Sequence, residues 1–241
     1  MNSYLRVLRE DLSKLSIPEK AEYFPRFFKS GPGEYGEGDK FLGITVPNCR
    51  TIAKKYESRL EISDVSELLE SHWHEERLSA LLILVIKYAK SDNETKSEIF
   101  DFYLSNTKHI NNWDLVDLSC PKIIGDYTFY NPSNQKVLDK LIDSKLLWDK
   151  RIAIVSTLFF IVNGNPVPTL KIVRKSLEDD HDLIQKANGW MLRELGKRID
   201  NNLLIDFLKT YYQKIPRTTL RYAIERFEPE VRKKYLQGIF D

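Results

Sequence analysis

The chain has 241 residues, 42% apolar and 30% charged, with 12 Tyr, 12 Phe and 4 Trp. That composition excludes disordered and collagen-like classes and leaves a globular chain long enough to bury a substantial core. The longest apolar runs, Leu81 to Ile86 and Ile152 to Val162, fall short of the roughly 20 residues a membrane span needs, and two cysteines, Cys49 and Cys120, are too few for a disulfide framework or a thiolate zinc site. The charged start, with Arg6, Arg9, Glu10, Asp11 and Lys14 before Leu15, does not read as a signal peptide. The expectation is a soluble intracellular protein without metal. The net charge of +2 is uneven: residues up to 140 hold 19 Lys/Arg against 22 Asp/Glu, and those from Leu141 onward hold 18 against 13. Clustered on one face, the later excess would suffice for phosphate contacts.

Helical periodicity dominates from the N-terminus onward. The stretch Ser30-Gly31-Pro32-Gly33-Glu34-Tyr35-Gly36-Glu37-Gly38-Asp39-Lys40 lacks the Gly-Lys-Ser/Thr ending of a phosphate loop and reads as a mobile loop or small hairpin. Ser66 ahead of Leu68 and Leu69 reads as a helix cap. Leu78, Leu81, Leu82, Val85 and Tyr88 then recur at helical spacing up to the breaker Ser91-Asp92-Asn93. Asn112 reads as the cap of a helix opening at Trp113, with Asp114 in its first turn. After Asn131-Pro132-Ser133-Asn134 come Ile152, Val155, Phe159 and Val162; after Asn163-Gly164-Asn165-Pro166 come Ile184, Ala187, Met191 and Leu195. With no convincing alternating strand, the expected fold is all-α, a single domain over residues 1–241.

The helices repeat. Segments opening at Trp73, Trp113, Trp148, Leu183 and Thr218 lie 40, 35, 35 and 35 residues apart, the spacing of HEAT-like helical pairs that stack into a curved solenoid. Arg151, Lys186 and Arg221 hold the same position in three successive units. Facing inward, they would form a column of cations on a concave surface, a cradle for duplex DNA that Arg193, Lys197, Arg198 and Arg217 would widen.

Trp113 and Asp117 are four residues apart and share a helix face, as do Lys186 and Trp190. Two aromatics beside a carboxylate and the cation Arg151 are not a typical core pattern. Asp114 is explained by its place in the first helical turn, whereas Asp117, one turn further in, has no cap to make. His72, His74, His109 and His181 lack the paired spacing of a zinc helix and read as structural or solvated.

Four segments then matter together: Phe41 to Pro47 (FLGITVP), Asn112 to Asp117 (NWDLVD), Trp148 to Arg151 (WDKR) and Gln185 to Glu194 (QKANGWMLRE). In order and spacing they resemble the AlkD-like family of DNA alkylation-repair glycosylases, over about residues 5 to 230. The resemblance implies a HEAT-like fold and excision of cationic N3- and N7-alkylated purines from duplex DNA by a monomer with no metal or organic cofactor. Asp117 matches the catalytic carboxylate, Trp113 and Trp190 the aromatics at the lesion's deoxyribose, and Arg151 the arginine on the DNA backbone. Asn112 stands where the family motif has a second tryptophan, and Phe27 where it has a tyrosine that contacts DNA. The glycine-rich insert at 30–40 is long for the family. Two readings compete with the glycosylase: a non-catalytic HEAT-repeat binder of damaged or branched DNA, and a HEAT-type protein-interaction scaffold.

Overall fold

The computed structural model describes residues 3–240. The chain divides into two compact units, the first ending at Ser119 and the second beginning at Cys120. Among the described residues the only β-type pairing is an isolated bridge between Lys40 and Trp73; everything else regular is helical.

The first unit contains α1 (Ser3–Lys14), α2 (Pro18–Phe27), α3 (Val46–Tyr56), α4 (Ile62–Leu69), α5 (His74–Lys90), α6 (Asn93–Ser105) and α7 (Trp113–Cys120). Its centre is α5, which is buried from His74 to Leu84 and packs against α3, α4 and α6. A helix apolar on most sides has no surface to offer water and takes the middle of its unit. The amphipathic α1 turns Leu5, Leu8 and Leu12 toward α3 and keeps its charges outside. Ser66 is not a cap: it lies inside α4, which Glu61 and Asp64 close with a reciprocal capping box.

The second unit contains α8 (Asp126–Tyr130), α9 (Lys136–Ile142), α10 (Leu147–Val162), α11 (Val167–Lys175), α12 (Asp182–Arg198), α13 (Asn201–Tyr211), α14 (Arg217–Ala223) and α15 (Pro229–Leu236). Here α10 is the central apolar helix, buried almost continuously from Arg151 to Thr157. Helices α10, α12 and α14 pack side by side in one layer, and α9 and α11 form a second layer against them. This is the stacked helix-pair arrangement expected from the repeat. The predicted openings at Trp73, Trp113, Trp148, Leu183 and Thr218 fall within one residue of the starts of α5, α7, α10, α12 and α14.

Side chains lock the starts of the layered helices in register. Arg151 Nη1 on α10 donates to the carbonyl of Leu183 on α12 at 2.7 Å, and Thr219 Oγ1 on α14 donates to that of Gln185 at 3.1 Å. Gly189 brings α12 and α14 into backbone contact: a Cβ there would stand 2.4 Å from Tyr222 Cβ and 2.5 Å from the Thr219 carbonyl. We expect Gly189→Ala to cost about 1–3 kcal/mol of stability, the range for overpacking a close contact. Urea unfolding would show it, and an unchanged midpoint would mean that α14 can move away freely.

A candidate aromatic cavity with a carboxylate

Helix α7 carries the first candidate residues. Its start is fixed by Asn112, fully buried, whose Oδ1 accepts the N–H of Trp113 at 2.9 Å while its Nδ2 donates to the Phe28 carbonyl at 3.3 Å. Asn112 therefore ties the end of α2 to α7. Gly36 of the glycine-rich segment sits against this joint, its missing Cβ 3.0 Å from Asn112 Nδ2 and 2.8 Å from the Phe28 carbonyl. The small residue at 112 and the insert are thus one packing solution, with no room for an indole.

That segment is neither a hairpin nor a loose loop. It is a series of turns in which Glu34 accepts the N–H of Gly31 and Glu37 that of Gly33, both at 2.9 Å, while Gly36 N–H bonds the Lys29 carbonyl at 2.9 Å. At its end Asp39 is bound by Arg77 at 2.6 Å, by His74 Nδ1 at 3.2 Å and by Asn111 at 3.2 Å. The acidic residues Glu34, Glu37 and Asp39 are thus used to hold the segment together.

Beneath α7 lies a buried charge cluster that sequence reading did not assemble. His74 bridges two carboxylates, Asp39 on Nδ1 and Asp114 on Nε2 at 2.9 Å. Asp114 is only 4% exposed and also accepts the N–H of Leu115, so its role is to anchor α7 rather than to meet a ligand. Burial by itself would lower the His74 pKa. The Asp114 charge, with the hydrogen bonds to Asp114 and Asp39, outweighs this and raises it to about 9. Next along α5, Glu75 accepts the N–H groups of Leu42, Gly43 and Ile44 at 2.9–3.1 Å, fixing the extended run ahead of α3.

Beside these ties lies a half-open cavity of about 560 Å³ in the first unit. Its lining includes Phe24, Phe27 and Phe28, the apolar Ile44, Val46, Leu78 and Leu118, and from α7 the side chains of Trp113 and Asp117. Phe28 stacks on Trp113 at 5.5 Å and 22°, and Phe27 meets the same indole edge-on at 5.8 Å. Of the sequence candidates, Phe27, Trp113 and Asp117 are therefore brought together. Trp113 and Asp117 are half-buried, and Phe27, on α2, is 47% exposed.

The remaining candidates belong to the second unit. On α12, Lys186, Trp190, Arg193 and Lys197 follow one another at spacings of 4, 3 and 4 along a half-exposed to exposed face, opposite the buried Ile184, Met191 and Leu195. Lys186 pairs with Asp182 at 2.6 Å, Arg193 with Glu225, and Arg221 on α14 is exposed. Arg151 differs from its repeat equivalents: it is 6% exposed, and its guanidinium serves the start of α12.

Among the described residues no three His, Cys, Asp or Glu side chains are grouped as a metal-ligand set. Both cysteines are buried and neither is in a disulfide, and burial pushes the Cys49 thiol up to about 12, far from a nucleophile's range. No helix among the described residues is long and apolar enough to cross a membrane.

A family profile described as DNA alkylation repair enzyme matches residues 8–227. The solved structure described as "Predicted DNA alkylation repair enzyme from Enterococcus faecalis" is 16% identical and superposes with a TM-score of 0.69. The match covers 89% of this chain and 97% of that one. No curated protein matches. At that identity the structural likeness establishes the helical-repeat fold, and the profile establishes the family.

The His74 cluster has a measurable consequence. A pKa raised from 6.5 to about 9 on folding means the folded chain holds this proton more tightly than the unfolded one. The resulting stability is complete below about pH 6.5 and is lost as pH rises through about 9. Urea unfolding at intervals from pH 6 to 9.5 should show that decline, and His74→Gln should flatten it. A level wild-type profile would mean that folding does not raise the His74 pKa.

Proposed function

The chain belongs to the DNA alkylation repair enzyme family, and from that membership we propose that it is a monofunctional DNA glycosylase acting on cationic N3- and N7-alkylated purines, such as 3-methyladenine and 7-methylguanine, in duplex DNA. The observation that supports this reading most is the aromatic cavity in which Trp113 and Asp117 share the lining with Phe27. Aromatic faces and a carboxylate suit a substrate that is cationic at the start and becomes more so at the sugar.

An alkylated purine already carries the positive charge of a good leaving group, so its departure needs no general acid. What remains is to stabilise the deoxyribose as it becomes oxocarbenium-like. A fixed carboxylate does this electrostatically and also orients or deprotonates the attacking water. We assign that role to Asp117. The indoles of Trp113 and Trp190, placed against the sugar, would each add cation–π attraction of roughly 0.5–2 kcal/mol. None of these steps calls for a metal or organic cofactor.

For the DNA backbone we assign phosphate contact to Lys186, Arg193 and Arg221, with Phe27 as an apolar contact. The first two are held in ion pairs at the surface, where such pairs are worth only about 0–1 kcal/mol, so a phosphate displaces the carboxylate at little cost. Arg151, expected from the resemblance to hold the backbone directly, is buried at the α10–α12 joint. We assign it to positioning the helix that carries Lys186 and Trp190.

Two measurements test the assignment. With methylated duplex DNA and no metal, the wild type should release 7-methylguanine and 3-methyladenine. Asp117→Asn should lower that release at least about tenfold while DNA affinity changes little, since only a charge is removed. Tight duplex binding without any release by the wild type would make the protein a non-catalytic binder of damaged DNA. Separately, Lys186→Ala should reduce the slope of log affinity against log salt by about 0.9, the value for one phosphate contact. An unchanged slope would remove Lys186 from the interface.

A further inference from the structure

The face of α12 that carries Trp190 continues past it. Lys186, Trp190, Arg193 and Lys197 share that face, and at its C-terminal end another cavity, of about 290 Å³, opens between α12, the start of α13 and the end of α14. Three cations line it, Arg193 and Lys197 from α12 and Arg226 from the turn after α14, and no carboxylate does. A lining with three positive charges and no negative one favours an anion.

Close packing brings these groups together. Gly196 lets α13 approach α12: a Cβ there would stand 2.8 Å from Leu204 Cδ2 and 3.3 Å from Asn201 Oδ1. Asn201, the first residue of α13, thereby joins the lining with an amide able to donate hydrogen bonds. The opening of α13 is already capped, since Asp200 accepts the N–H of Asn202 at 2.8 Å, so the attraction rests on the side chains.

The cations are available. Lys197 and Arg226 are exposed, and neither makes an ion pair with the described residues. Arg193 is paired through Nη1 with Glu225, whose side chain is 56% exposed. Its Nε is shielded from water without a hydrogen bond, 3.8 Å from a Glu194 carboxylate that Arg198 already engages at 2.7 Å. A surface pair such as Arg193–Glu225 is worth only about 0–1 kcal/mol, so an incoming anion can replace Glu225.

We infer that this cavity holds one internal phosphate of the DNA backbone, away from the lesion. The inference rests on the DNA-binding reading of α12 and adds a second fixed point for the strand. Lys197 lies seven residues beyond Trp190, which is about 10 Å along the helix. At a rise of about 3.4 Å per nucleotide, a sugar at Trp190 puts the pocket about three nucleotides away. Two guanidinium groups with paired N–H donors and one ammonium suit the free oxygens of a phosphodiester. No base is read there, so the contact serves damaged and undamaged duplex alike.

The test uses a duplex with hydroxyl ends and one 7-methylguanine on 2′-fluoroarabinose, whose fluorine keeps the base attached. One phosphate at a time is replaced by an uncharged methylphosphonate. For the wild type, a single position about three nucleotides from the lesion should cost at least about fivefold in affinity, in addition to those at the lesion itself. In Lys197→Gln/Arg226→Gln that position should cost less than about twofold, while the other sensitive positions keep their cost. Glu225→Gln, which frees Arg193, should bind the all-phosphate duplex at least about twofold more tightly and lose this gain when that one linkage is neutral. Tighter binding cannot come from a variant that fails to fold. Equal costs at every linkage in the wild type and the double variant would overturn the pocket and leave the DNA reading intact. A wild type that does not bind the duplex at all would remove the DNA reading, and the pocket with it.

Discussion

The first unit depends on one buried proton. His74, at the opening of the central helix α5, lies between Asp39 at the end of the glycine-rich segment and Asp114 at the opening of α7. With Arg77 also on Asp39, the cluster joins three parts of the chain that are far apart in sequence. Buried charges are expensive to desolvate, and removing one member leaves its partners uncompensated, so such a cluster is all or nothing. What it secures is geometry: α7 cannot shift without moving Asp114 away from the imidazolium, and α7 carries both Trp113 and Asp117.

The same logic extends from charge to packing. Phe28 is stacked on Phe41 and Trp113 and tilted against His74, so the aromatic wall of the cavity and the ion cluster are two sides of one assembly. Asn112 and Gly36 complete it by fixing the end of α2 to the start of α7. Together these contacts hold Trp113 and Asp117 of α7 in a fixed frame. The second unit contributes a different property. Its layered helices leave Lys186 and Arg193 part-exposed and Arg221 exposed while hiding Arg151, so these cations are carried on α12 and α14 by a register that Arg151 and Thr219 maintain.

Much of this was readable in advance because it is local. Helix starts follow from a polar turn before an apolar run, and the repeat openings at 73, 113, 148, 183 and 218 each predict a helix within a residue. The distinction between Asp114 and Asp117 was also local, although the reason for it was not. Helical position separates the two by a turn, but the partner that occupies Asp114 lies forty residues earlier. The glycine-rich segment misleads for a similar reason: its composition suggests mobility, and the anchors that hold it, Arg77, His74, Asn111 and Asn112, are all remote in sequence.

The sequence by itself determined the helical class, the repeat, the family and the grouping of Trp113 with Asp117, since periodicity and short spacing act within a few turns of one helix. Tertiary structure alone decided the rest. Arg151, Lys186 and Arg221 hold one repeat position, yet the first is buried under a neighbouring helix and the last is exposed. Repeat phase records only where a residue sits on its own helix. Burial, charge state and cavity volume depend on what the neighbouring helices place against it, and those neighbours lie from about thirty to more than eighty residues away in sequence.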